Sequence, residues 1–371
     1  MRILFLITTL GHGGAEKVLV NLVNNLDRSM FDVTVQTLFD VGANKNNLLS
    51  HIRYKPGYHL YFRGNTLIMK CFSPRFLFRH LIKDKYDIIV SFLEGPSARI
   101  VSGCTDNITK LISWIHIEQG NRKIASRSFR SCKEAEVCYN RFDRTVCVSE
   151  SVKDDFTGIF PVSHPVGVIY NLNDIIQIKK LSQMQPTGIT LYKGIRICSV
   201  GKIIEAKGFD RLVRIQKRLV SDGYLSCMYI IGCGNKINKL QRIVHKYGLD
   251  EHFIFLGYHK NPYAYVSQCD FYVCSSRREG FSTAVSEALI IGLPVISTRC
   301  SGAEELLGKH NEFGLVVAND EEALYQGIRS WLSDPTLIEK YRKKAAKRGE
   351  KFMKDVSINA VQNLFKEMSV K

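Results

Sequence analysis

The sequence predicts an α/β protein of two doubly wound parallel sheets, one per domain, with a cleft between the domains. Three features predict it: two successive series of β-rich runs alternating with helical patterns, a loosely patterned stretch between them, and a length of 371 residues that suits two cores of ordinary size. The first series is RILFLIT, DVTVQTL, DIIVSFL, KLISWI, RTVCVS and VGVIYN, each followed by turn residues or a helical pattern, and it defines a domain over residues 1–170. Residues 171–194 show no clear period and carry Pro186, Gly188 and Gly194, so they read as a hinge. The second series, IRICSVG, SCMYIIGCG, FIFLG, DFYVCSS, LPVIST and GLVVA, defines a domain over residues 195–353. From Asp334 onward the chain reads as helices rich in Lys and Arg, ending in SINAVQNLFKEM.

Composition narrows the class. A hydrophobic fraction of 45% and a charged fraction of 23% are those of a soluble globular protein. MRILFLITTL is too short to span a bilayer, and glycines follow it where a leader would show a small-residue cleavage site, so it is expected to be a buried first strand. The eleven cysteines are odd in number, show no CxxC spacing and mostly sit in apolar runs, which suits reduced core thiols in a cytoplasmic protein. The formal net charge of +17 suits nucleic acid, an anionic membrane face or phosphate-bearing ligands. No RNA- or DNA-binding signature is present, and no nucleic-acid partner is expected. Between Tyr58 and Lys85, the basic residues Arg63, Lys70, Arg75, Arg79, Lys83 and Lys85 interleave with Tyr61, Phe62, Phe72, Phe76 and Phe78. That pattern fits either a segment resting on an anionic membrane or an amphipathic helix whose aromatics belong to the core.

Chemistry in such sheets collects at the carboxyl ends of strands. The first strand ends in TTLGHGGAEKVLVNL, where Gly11, Gly13 and Gly14 make a tight turn that lets backbone amides approach an anion, although the spacing is not GxGxxG. The second strand closes as QTLFDVG without a well-placed acid for a ribose, Asp40 being an imperfect candidate, which argues against a nicotinamide enzyme. The second domain opens with SVGKIIEAKGFDRLV, whose Lys202 and Lys207 are either surface charges or a pair that neutralises a diphosphate. In SSRREGFSTAVSEALIIGLPVIST, RREG is the exit loop of a strand and a helix starts near Ser282 or Thr283. Its first amides seat a phosphate group. Glu279 hangs from the loop and Glu287 lies about one turn inside the helix. Two such carboxylates serve as holders of paired hydroxyls, or they are a helix-start glutamate and a solvated one.

EGFSTAVSEALIIGLPVIST resembles the E-x7-E signature of retaining glycosyltransferase family 4, whose members have the GT-B fold of two Rossmann-like domains facing an interdomain cleft. GHGGAEK, SWIH, IYNLND, SVGKIIEAKGFD, IIGCGN, FIFLGY and STRCSGAEELL agree with the family in the same order. The family often has Arg where Lys202 stands, GFG where this chain has Gly280, Phe281 and Ser282, and GDG or GSG around Cys233. The loss of the planar guanidinium fork leaves diphosphate geometry open. The resemblance implies that Glu279 holds the donor sugar, Glu287 the nucleotide ribose, and the amides of Gly280, Phe281, Ser282 and Thr283 the phosphates or the sugar. Lys202 and Lys207 would stabilise the departing nucleoside diphosphate, and Gly13 or Gly14 would approach the donor from the other domain. His116 would contact the donor sugar or the acceptor, a lone histidine at a strand end being otherwise a structural group. Tyr258 and His259 fall where the family meets the base.

The resemblance further implies a hexose or N-acetylhexosamine donor, UDP-linked in preference to GDP-linked, and transfer with retention. The acceptor would be a glycan, lipid-linked at the inner membrane face, in envelope, lipopolysaccharide or capsule synthesis. The helix over 354–371 would pack on the first domain. No Asp-x-Asp pair occurs, so activity without metal or cofactor is expected. Two other readings fit fewer residues: another GT-B reaction such as nucleotide-sugar epimerisation or phosphorolysis, and a non-catalytic binder of anionic glycans or membranes.

Overall fold

The computed structural model describes residues 1–60, 62, 64–189, 191–352 and 354–369, and for residues 354–356 the backbone only. Tyr61 and Arg63 of the basic aromatic stretch, and positions 190, 353, 370 and 371 of the expected hinge, second domain and last helix, lie outside them. The chain forms two compact units, residues 1–172 with 355–371, and residues 173–354.

The first unit holds a seven-stranded, all-parallel sheet: β1 (Arg2–Ile7), β2 (Asp32–Thr37), β3 (Arg53–Lys55), β4 (Ile88–Ser91), β5 (Lys110–Ile115), β6 (Arg144–Cys147) and β7 (Val166–Val168), in the order β3-β2-β1-β4-β5-β6-β7. Ile3 to Ile7 of β1 are fully buried, as a central parallel strand covered on both faces requires. Strand order reverses between β1 and β4, so the loops after β1, β4 and β5 open at one carboxyl edge. The sequence pattern predicts six of these strands. β3 was missed because three residues reading RYK at the sheet edge carry no apolar run.

The helix Lys354–Ser369 returns to this unit. Phe365, fully buried, meets Phe5 edge-on at 6.0 Å and Phe31 at 5.8 Å. The side-chain oxygen of Gln362 accepts from the Asp27 amide at 3.0 Å.

The second unit holds a six-stranded parallel sheet: β8 (Ile195–Val200), β9 (Ser226–Ile231), β10 (Phe253–Gly257), β11 (Phe271–Cys274), β12 (Val295–Thr298) and β13 (Leu315–Val317), in the order β10-β9-β8-β11-β12-β13. All six match the predicted runs. Order reverses between β8 and β11, which brings the loops after those two strands together. Trp331 anchors the core beneath the sheet, edge-on to Phe271 at 5.3 Å. The stretch read as a hinge contains a helix, Ile175–Ser182, which Asp174 caps by accepting from the Gln177 amide at 3.1 Å. Only Ile178 of that helix is buried, against Tyr263 and Ile290, and one buried residue in eight leaves no period to detect.

Replacing Phe365 by Ala removes the ring that joins the last helix to β1. The variant is expected to lose about 3–5 kcal/mol of stability in the first unit, read as a lower denaturant midpoint at unchanged slope.

Candidate functional site

The centre of the second unit's carboxyl edge is a charged pair. The Lys207 ammonium donates to Glu279 Oε1 at 2.5 Å, and the Ser276 hydroxyl donates to the same oxygen at 2.6 Å. Glu279 is 8% exposed, so it does not hang into solvent from the exit loop. Burial works to lower the Lys207 pKa, but the Glu279 carboxylate outweighs it, and the ammonium ends above its usual range. The Lys207 ammonium is therefore charged around neutral pH.

The loops are fixed by their backbone. Gly208 sits at φ +69°, and a Cβ there would stand 2.1 Å from the Ser275 carbonyl oxygen, so only glycine lets the β8 loop lie against the β11 exit. The Ser275 hydroxyl donates to the Lys207 carbonyl at 2.8 Å, and the Arg277 amide donates to the Ala206 carbonyl at 2.7 Å. Arg277 also makes a forked pair with Asp210, both bonds 2.7 Å. Burial would raise the Asp210 carboxyl, but Arg277 and Arg214 hold it down to about 2. These contacts were invisible in the sequence. Their only trace was the acid two residues after the lysine–glycine pair.

Beyond Glu279 the helix Thr283–Ile291 begins with Ser282 at its N-cap, and the Ser282 side chain makes no capping bond to its first amides. Phe281 and Ser282 are buried at 5% and 7%. Glu287, in the second turn, is 9% exposed, so it too is not solvated. The neighbouring Ser286 hydroxyl donates to the Thr283 carbonyl at 2.8 Å and meets Asn173 Oδ1 at 3.2 Å, which ties this turn to the start of the unit. Lys202 follows β8 and is exposed, with no ion pair among the described residues. Tyr258 after β10 is 47% exposed. The His259 ring is turned inward, 4.3 Å from Tyr265, with Nε2 at 3.0 Å from the Leu256 carbonyl oxygen.

In the first unit, Gly13 is the N-cap of the helix Gly14–Asn25, and Glu16 folds back over it: a Cβ on Gly13 would stand 2.1 Å from Glu16 Oε2. The glycine there makes room for a carboxylate from the same helix. His116 follows β5. Its ring packs 4.6 Å from Phe92, and its Nε2 is buried with no hydrogen-bond partner. Burial pushes its pKa down to about 3, so the imidazole is neutral at working pH and suits hydroxyl binding better than proton transfer. Glu94, which the sequence reading did not single out, accepts from the His116 amide through Oε2 at 3.0 Å and so joins the loops after β4 and β5. An acid followed by Gly-Pro just after a predicted strand was the available signal.

The two parallel, doubly wound sheets in one chain define the GT-B fold, and comparison with known proteins agrees. The Anabaena protein HepE, solved in complex with UDP-glucose, superposes with a TM-score of 0.77 over 99% of this chain and 100% of its own, at 18% identity. The family model for glycosyl transferases group 1 matches residues 190–352, and that for glycosyltransferase family 4 matches residues 12–175. The chain belongs to the family 4 type of GT-B glycosyltransferases.

One relative is the N-acetylgalactosamine-N,N'-diacetylbacillosaminyl-diphospho-undecaprenol 4-alpha-N-acetylgalactosaminyltransferase of Campylobacter jejuni. It is 32% identical over 219 residues, 58% of this chain and 58% of the relative. Another is the O-antigen biosynthesis glycosyltransferase WclY of Escherichia coli, 30% identical over 162 residues, 42% of this chain and 43% of the relative. Each match thus spans less than two thirds of the relative's length.

Two outcomes test this geometry. Gly208→Ala forces a Cβ onto the Ser275 carbonyl and is expected to cost about 2–3 kcal/mol, measured by denaturant unfolding. Because the Asp210 pKa lies below its unfolded value near 3.9, its contribution is complete above about pH 4 and is lost as pH falls toward 2. Asp210→Asn should flatten the stability curve in that window and nowhere else.

Proposed function

We propose that the protein transfers a hexose or N-acetylhexosamine from a UDP-sugar to a lipid-linked glycan, with retention of configuration, in the synthesis of a bacterial envelope or capsular polysaccharide. The observation that carries the donor assignment is the Lys207–Glu279 pair, part-buried beside the start of the helix Thr283–Ile291. Without ligand the two charges satisfy each other. A diphosphate brings negative charge that competes for the ammonium, and a sugar brings hydroxyls that replace the ammonium as donors to Glu279. The same movement therefore grips both halves of the donor.

The first amides of that helix and the positive end of its dipole take the remaining phosphate charge, and exposed Lys202 adds a second cation. Glu287 takes the ribose diol. Gly280 and Phe281 lie between the two acids and present backbone to the phosphates or sugar, and Tyr258 and His259 flank the base. On the first unit, the unpartnered Nε2 of His116 meets a hydroxyl of donor sugar or acceptor, and Gly13 and Gly14 follow β1, which β4 separates from the strand of His116. The acceptor hydroxyl attacks the face that the nucleotide leaves, and its proton passes to the departing phosphate oxygen. This route needs no enzyme nucleophile. Fixed positive charge at the leaving group does the work that a divalent cation does in other transferases.

The UDP preference follows the ligand of HepE, and the lipid-linked acceptor follows the diphospho-undecaprenol named for the Campylobacter relative. A thermal-shift panel of nucleotide sugars is expected to show stabilisation by one or more UDP-sugars and by UDP, lost in Glu287→Ala. Absence of any shift at millimolar ligand would remove the donor assignment. In a transfer assay, chelation of divalent cations should change the initial rate less than twofold. An NMR spectrum of the product should show the anomeric configuration of the donor. Consumption of donor into its epimer without acceptor would point instead to epimerisation.

A further inference from the structure

The segment from Tyr58 to Lys85 was open between a membrane face and a helix with core aromatics, and the exposure of Phe62, Phe72 and Phe76 favours the first reading, while Phe78 is half-buried. Phe62, Phe72 and Phe76 are 45%, 43% and 50% exposed, and Leu60, Leu67 and Ile68 are 71%, 60% and 52% exposed. In the helix Pro74–Leu81 only Leu77 is buried. On its outer side Phe72 stacks on Phe76 at 5.1 Å, Phe76 on His80 at 6.0 Å and Tyr58 on His80 at 6.3 Å, a ladder of rings facing outward.

The surface is held in shape from beneath. Asn65 Oδ1 accepts from the Phe62 amide at 2.6 Å, and its Nδ2 donates to the Leu60 carbonyl at 2.9 Å. Arg99, 1% exposed and paired with Glu134, donates to the carbonyls of Met69 at 2.9 Å and Phe72 at 2.7 Å. Arg130 donates to the carbonyls of Lys70 and Cys71, at 2.5 and 2.8 Å. Two buried polar side chains, Asn65 and Arg99, spent on presenting outward apolar side chains argue for a use of that face. Exposed Arg75, Arg79, Lys83 and Lys85 lie along the same segment, and its acid, Asp84, is already paired with Lys55.

We propose that this face docks the first unit onto an anionic lipid bilayer. Aromatic rings and leucines settle at the headgroup boundary while the flanking cations meet lipid phosphates, and each cation near such a surface strengthens binding about fivefold. Among the described residues no helix is long and apolar enough to cross a membrane, so the contact is one of resting on the surface. The inference goes beyond the donor site and does not depend on it, because vesicle binding requires no nucleotide sugar.

The test is co-sedimentation of the whole chain with phosphatidylcholine vesicles and with vesicles containing phosphatidylglycerol. Binding is expected only to the anionic vesicles, weakening as salt rises from 50 to 500 mM. Phe72→Ser with Phe76→Ser should weaken it at least tenfold, and Arg75→Gln with Arg79→Gln roughly 30-fold. Both variants should keep the wild-type melting temperature and its shift with nucleotide sugar. Absence of binding to anionic vesicles, binding unchanged by either pair of substitutions, or a wild-type dimer that Phe76→Ser dissociates would each overturn the proposal, the last by showing that a second copy covers the rings.

Discussion

Lys207 and Glu279 stand 2.5 Å apart, the carboxylate buried and the ammonium partly open to water, and the buried carboxylate relies on its partner. An unpaired ion there forfeits several kcal/mol of hydration, whereas the pair mostly breaks even and adds little net stability. What surrounds the pair is arranged to keep it in register. Gly208 permits the close approach of the two loops, Ser275 and Arg277 stitch them together, and Ser276 fills a further position on the carboxylate. A costly arrangement that contributes little stability makes most sense as one that a ligand rearranges.

Most of the architecture was legible in the sequence because parallel strands buried on both faces are continuous apolar runs, and every run of that kind became a strand. β3 escaped for lack of such a run, and the helix Ile175–Ser182 because it buries one side chain. The pairing of loops was partly legible: the glycine beside Lys207 and the acid-Gly-Phe-Ser-Thr break located both sides of the site. That Lys207 bonds Glu279, while Lys202 points to no acid, was beyond reach, since no rule of spacing joins side chains 72 positions apart. Glu94 was passed over for the same reason, its partner being the backbone of a strand end 22 residues away.

Charge is deployed in two ways across the molecule. In the second unit Arg277 and Arg214 are drawn into pairs with Asp210, and Arg214 reaches Glu321 as well. In the first unit Arg99 and Arg130 work inward on carbonyls while Arg75 and Arg79 remain exposed around a ladder of rings. The net charge of +17 is therefore not a uniform property of the surface. Exposed cations include Lys202 after β8 and Arg75 and Arg79 on the outward face.

The central claim is that the part-buried ion pair opens to hold sugar hydroxyls on Glu279 and diphosphate on Lys207. Calorimetric titration of Glu279→Gln with UDP-sugar and, separately, with UDP tests it most directly. The account predicts that the UDP-sugar binds at least tenfold more weakly than to the unaltered chain, while UDP binds as tightly or more tightly because Lys207 is no longer neutralised. Equal losses for both ligands, or no loss for either, would contradict it.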